Sequence, residues 1–143
     1  MRCVDVNILV HAHRPEANEH ERYLDWLEVA RRGAEPLGLA DVVMNGFLRV
    51  VTHPKVFREP TPIGEALRFI DALRQAPVSI AAAPGERHWS IFADLCHRTQ
   101  ATGNRIPDAF LAALAIEQGA TWVTADRGFA RFPGLRWEHP LDS

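Results

Sequence analysis

The sequence predicts an α/β fold: a three-layer α/β/α sandwich around a short, mainly parallel central sheet. Short apolar, β-branched runs alternate with amphipathic stretches of about ten to fifteen residues along the 143-residue chain. Those runs are apolar on both faces, as strands buried between helical layers must be. Proline, glycine and capping residues mark the junctions. The length suits one domain, residues 1–143, with no internal repeat or linker.

Cys3 to Val6 is apolar and β-branched except for Asp5, which predicts a buried strand, and Asn7 begins a turn into Ile8-Leu9-Val10. Between Asn18 and Arg32, Tyr23, Leu24, Trp26, Leu27 and Ala30 recur at helical spacing, and Gly33 stands where the helix stops. Pro36 to Leu39 reads as a second strand. Asp41 is placed to cap a helix carrying Val43, Phe47, Val50 and Val51, with Pro54 beyond its end.

Thr61-Pro62 predicts a helix opening with the threonine as cap, and Ile63, Leu67, Ile70 and Leu73 form its expected buried stripe. Pro77 stops it, and Val78 to Ala82 reads as a strand. Pro84-Gly85 then turns into a helix with Trp89, Phe92, Leu95 and Cys96 on its inner side. Asn104 to Pro107 starts a helix over Asp108 to Gln118 that Gly119 ends. Thr121 to Thr124 reads as a strand, Arg127 to Arg131 as a short helical turn, and Leu135 to Glu138 as a final edge strand.

Apolar residues at 47% and charged residues at 24% describe a globular chain and exclude a disordered or fibrous one. A net charge of −2 gives no global attraction to nucleic acid, so a polyanion would have to be held by metal and a local arginine patch. Cys3 and Cys96 lack metal-type spacing and read as buried free thiols, which with the lack of a signal peptide or membrane span points to the cytoplasm.

The candidate chemistry lies in three aspartates. Asp5 ends the first apolar run, Asp108 stands at the start of an alanine-rich helix, and Asp126 follows the strand ending at Thr124. In an open α/β sheet such junctions converge at the carboxyl ends of the strands. Carboxylates gathered there repel one another and lose solvent, and a bound divalent cation is the simplest way to keep them ionised.

Three segments carry a resemblance: Asp5-Val6-Asn7-Ile8-Leu9, Asn104-Arg105-Ile106-Pro107-Asp108, and Gly119 through Phe132 with its core Val123-Thr124-Ala125-Asp126-Arg127. In order and spacing, together with Phe47-Leu48-Arg49-Val50-Val51-Thr52, they resemble the PIN-domain ribonucleases, in particular the VapC toxins of bacterial toxin–antitoxin pairs. The resemblance implies a PIN-like fold and a Mg2+-dependent endoribonuclease, with Mn2+ as an alternative ion, whose acids bind metal and align a water for attack on RNA. Asp5, Asp108 and Asp126 match three of its acidic positions. Asn7 and Thr124 match the polar residues that support them, and Arg49, Arg105 and Arg127 are the candidates for gripping the RNA backbone. A small VapB-like antitoxin and a homodimer are the implied partners.

Two positions depart from the family pattern. Gly46 stands where a glutamate is common, with neither Asn45 nor Asp41 an easy replacement, and Gly128 stands where a further acid often occurs. One-metal catalysis is the resulting expectation, and a PIN module that binds RNA or a protein without cleaving stays open as the alternative. Other chemistries find no support. His11 and His13 are two apart, which splits them between helix faces, and no Gly-x-Ser-x-Gly elbow or phosphate-binding Gly-Lys-Ser/Thr loop exists. A haloacid-dehalogenase phosphatase would need an aspartate at Asn7. Trp26, Trp89, Trp122 and Trp137 read as core or dimer packing.

Overall fold

The computed structural model describes residues 1–142. Five strands form the central sheet: β1 (Arg2–Val4), β2 (Leu37–Leu39), β3 (Ser79–Ala81), β4 (Thr121–Val123) and β5 (Trp137–Glu138), in the order β3-β2-β1-β4-β5. Every pairing is parallel, with Cys3 opposite both Gly38 and Trp122. The helices are α1 (Val6–His13), α2 (His20–Arg32), α3 (Asp41–Val51), α4 (Ile63–Arg74), α5 (His88–Thr99) and α6 (Arg105–Gln118), and a 3-10 turn covers Arg127–Arg131.

The strand order reverses direction once. From β1 the chain moves through β2 to β3, then crosses the whole sheet to β4 and continues to β5. Right-handed crossovers in opposite directions put their helices on opposite faces, giving three layers: α1 to α4 on one side, α5 and α6 on the other. Packing agrees, because α1 contacts α2 and α3, α3 contacts α4, and α5 lies against α6. The reversal falls between β1 and β4, which makes their carboxyl ends a topological switch point.

The core holds Trp122, Phe47, Phe129, Ile8, Leu9 and Leu114, all nearly without solvent contact. Helix α6 reaches the sheet through Ala109, Ala112, Ala113 and Ala115, whose short side chains permit a close approach. Gly119 ends it at φ +65°, a left-handed conformation that glycine adopts without strain, and its N–H closes on Ala115 and Ile116. Among the described residues no helix is long and apolar enough to cross a membrane.

Several expectations are corrected. The first strand stops at Val4, because Asp5 accepts a hydrogen bond from the Val6 N–H and caps α1, so Val6 and Asn7 are helical. Asp41 is the first residue of α3 and Ala40 its cap, with no side-chain capping bond. Pro62, not Thr61, caps α4; the Thr61 hydroxyl instead meets Arg14 at 2.8 Å and His13 at 3.1 Å. The buried stripe of α4 runs through Ala66, Ile70 and Leu73, leaving Ile63 and Leu67 exposed. Trp89 lies outward at 70% exposure, while its neighbour His88 is buried and bonded to the Phe110 carbonyl at 3.0 Å. The last strand is only Trp137–Glu138.

Candidate active site

Asp5 sits where β1 gives way to α1, and its carboxylate is tied on both sides. Oδ1 accepts the Val6 N–H at 2.7 Å, while Oδ2 accepts the Thr124 hydroxyl at 2.7 Å and the Asn7 amide at 3.3 Å. Thr124 follows β4 and is fully buried. Its hydroxyl donates to Asp5 and accepts from the Asp126 N–H at 3.0 Å and the Asn7 amide at 3.3 Å, which uses its one proton and both lone pairs. Asn7 Oδ1 accepts the Ala125 N–H at 3.1 Å. This knot joins the ends of β1 and β4 and leaves the Asp5 carboxylate no freedom to turn.

Asp126 caps the 3-10 turn through the Gly128 N–H at 2.8 Å, and Asp108 projects from the first turn of α6. Asp5, Asn7, Asp108 and Asp126 line one open crevice of about 360 Å3 with Val6, Val10, His11, Val50 and Phe129. The aspartates expected to converge therefore do so at the switch point.

The carboxylates are electrostatically frustrated. Burial pushes Asp5 up from 3.8 to about 6, against the Thr124 and Val6 hydrogen bonds that favour the anion, and the charges of Asp108 and Asp126 raise it further. Asp108 is also raised, by burial first and then by Asp126, while Arg131 and Arg105 pull it back. Among the described residues no three His, Cys, Asp or Glu side chains are grouped closely enough to hold a metal ion unaided. Carboxylates spaced around an open crevice still fit a hard divalent ion of the Mg2+ class, which retains several waters and takes only one or two protein carboxylates beside substrate oxygens.

The arginines divide. Arg105 begins α6 and acts electrostatically on Asp108. Arg49 is exposed on α3. Arg127 turns away from the acids, bonding both Asp142 oxygens at 3.0 and 2.9 Å. Two residues escaped the sequence reading. Arg131 lies 4.0 Å from Asp108, and no motif or spacing in the sequence marks it. His11 lines the crevice, stacked on Tyr23 at 4.7 Å with its buried Nδ1 unpartnered among the described residues. Burial, then the neighbouring His139, keeps His11 below its ordinary pKa.

Gly46 packs on α1, where a Cβ would come within 2.9 Å of Val6 Cγ2. A longer residue there would have to displace Val6, which itself lines the crevice. Asn45 is exposed, and Asp41 lies in a separate hollow with Leu39, Met44, Arg74 and Ser79. Neither supplies a fourth acid to the crevice.

Comparison with known proteins places this geometry in a family. The PIN domain family model matches residues 2–135. A protein called VapC ribonuclease Mb2897, from Mycobacterium bovis, is 54% identical over 142 residues, covering 99% of this chain and 97% of that one. Ribonuclease VapC25 of Mycobacterium tuberculosis is 34% identical, covering 98% and 99%. Two solved structures share the fold at TM-score 0.70: VapBC2 from Rickettsia felis bound to a promoter DNA fragment, at 19% identity and 96% coverage of each chain, and VapBC-1 from nontypeable Haemophilus influenzae, at 14% identity with 99% and 98% covered. The chain belongs to the PIN-domain family, and within it to the group that includes the VapC ribonucleases.

Proposed function

We propose that this protein is the endoribonuclease toxin of a toxin–antitoxin pair, dependent on Mg2+ or on Mn2+ in its place. The observation that carries the reading is the fixed Asp5 carboxylate facing Asp108 and Asp126 across one crevice. Asp5 would hold the ion, with Asp108 and Asp126 as the acids facing it, and when bound the ion supplies charge neutralisation and polarises oxygen ligands. The chain's own groups do the rest. Thr124 and Asn7 hold Asp5 in one orientation, Val6, Val10, Val50 and Phe129 form the apolar walls of the crevice, and Arg105 and Arg131 set positive charge beside Asp108 where a phosphodiester would enter. Arg49 is free to meet the RNA further out. Arg127 reaches it only by leaving Asp142.

Relatives named VapC ribonuclease and fold neighbours described as VapBC assemblies support RNA as substrate and a small VapB-like antitoxin as partner. A homodimer is the toxin assembly that the family resemblance implies. Incubating the purified chain with total RNA, in Mg2+, Mn2+ or chelator, tests the activity; equal cut-end profiles in all three would end the proposal. Inducing the chain alone should arrest growth, and co-expression of the neighbouring small reading frame should restore it. Gly46 favours a second reading, a PIN module that binds without cutting. Under it Asp5→Asn leaves RNA affinity and the cellular effect unchanged.

A further inference from the structure

Gly128 and Arg131 share the 3-10 turn that follows Asp126. Gly128 does not have a positive φ, so its backbone conformation does not call for glycine. Space favours it. A Cβ at this position would lie 2.7 Å from Arg131 Nη2 and 2.9 Å from Asp126 Oδ1, so both side-chain ends reach over the bare Cα without forming an ion pair, and an added side chain would have to push them aside. On its other side Arg131 Nη1 stands 4.0 Å from Asp108 Oδ2, with both side chains less than a third exposed. Among the described residues no hydrogen bond fixes the guanidinium; its surroundings are Asp108 at 4.0 Å, the notch at Gly128 beside Asp126 and the Phe132 ring 5.8 Å away. Asp5 differs, because no ion pair reaches it among the described residues.

We infer that Arg131 is the resident cation of the Asp108–Asp126 side of the crevice, seated there by the missing side chain of Gly128, and that it limits the site to one divalent ion beside Asp5. This rests on the metal-dependent reading above. A guanidinium between two carboxylates supplies the charge that a second ion would bring and repels that ion at close range, where a doubly charged species feels twice the force. The two departures from the family's acidic pattern then have one consequence: position 46 withholds a ligand, and position 128 admits a permanent positive charge.

Calorimetric titration of the full chain with Mn2+, without RNA, separates the possibilities. Wild type is expected to take up one Mn2+ per chain, and Arg131→Gln a second. Gly128→Ala, which crowds the guanidinium aside while keeping its charge, should also admit a second Mn2+, bound about threefold to tenfold more weakly than in Arg131→Gln. Should Gly128→Ala not fold, as a melting curve would show, Arg131→Gln alone decides. One Mn2+ in wild type and Arg131→Gln with equal affinity overturns the role of Arg131 while the metal reading stands. Two in wild type also overturns it, and no uptake by wild type removes the metal reading and this inference together.

Discussion

Asp5→Asn should make the metal-free protein more stable at neutral pH while removing its function. Asp5 is 7% exposed, and its carboxyl titrates near 6 in the folded chain instead of near 3.8. A folded-state pKa above the unfolded one means that the native state binds more protons between the two values. The associated stability is therefore complete below about pH 4 and is lost as pH rises through about 6. At pH 7.5 the ionised carboxylate costs about 3 kcal/mol. Asparagine removes that charge but gives up the charge-assisted bond from Thr124, whose hydroxyl already has both lone pairs engaged, at a cost of about 1 kcal/mol. A net gain of about 1–2 kcal/mol, or about 3–8 °C in Tm, is expected in chelator at pH 7.5. Thermal melts of both proteins from pH 4 to 8 check this: the advantage should fade toward pH 4, and millimolar Mg2+ should raise the Tm of wild type only. A variant that melts below wild type at pH 7.5, or a gain that is undiminished at pH 4, would mean that the buried Asp5 charge is not what costs stability.

Thr124→Val keeps the volume but removes the hydroxyl that orients Asp5 and accepts from Asp126 N–H, so it should lower kcat with little change in KM and destabilise the chain by about 1–3 kcal/mol, read by RNA cleavage and urea melts. Arg105→Ala should raise KM for RNA, since its charge acts at Asp108, whereas Arg127→Ala should leave cleavage within about threefold because that guanidinium is engaged by Asp142. Parallel steady-state kinetics decide between them. Gly46→Glu should not raise activity despite restoring the family's acid; forcing a side chain against Val6 overpacks the α1–α3 contact and should lower stability by about 1–3 kcal/mol in the same melts.

Strand and helix order was legible in the sequence because parallel strands and their crossover helices carry different hydrophobic periods. What the periods leave open is where an element begins. Cys3-Val4-Asp5-Val6 reads as continuous strand, yet the Asp5 carboxylate can accept its neighbour's N–H, and that local bond starts a helix in place of another strand residue. Thr61 shows the converse. A good cap by composition, it is drawn instead to Arg14 and His13, contacts more than forty residues away in sequence. On α4 and α5 helical spacing gave a stripe without its rotation: Ala66 and His88 take the buried positions while Leu67 and Trp89 face outward. Within the site, the convergence of Asp5, Asp108 and Asp126 followed from their places after β1, in the first turn of α6 and after β4. Arg131 did not, because its contacts depend on an absent side chain at Gly128, and the Arg127–Asp142 pair depends on how the last segment returns after β5.

The central claim is that Asp5, Asp108 and Asp126 together address one divalent ion. Anomalous scattering from crystals soaked in Mn2+ tests it most directly. A single manganese peak is expected in the crevice, nearest Asp5, and it should disappear in Asp5→Asn crystals. A peak seated on other residues, or none at saturating Mn2+, would contradict it.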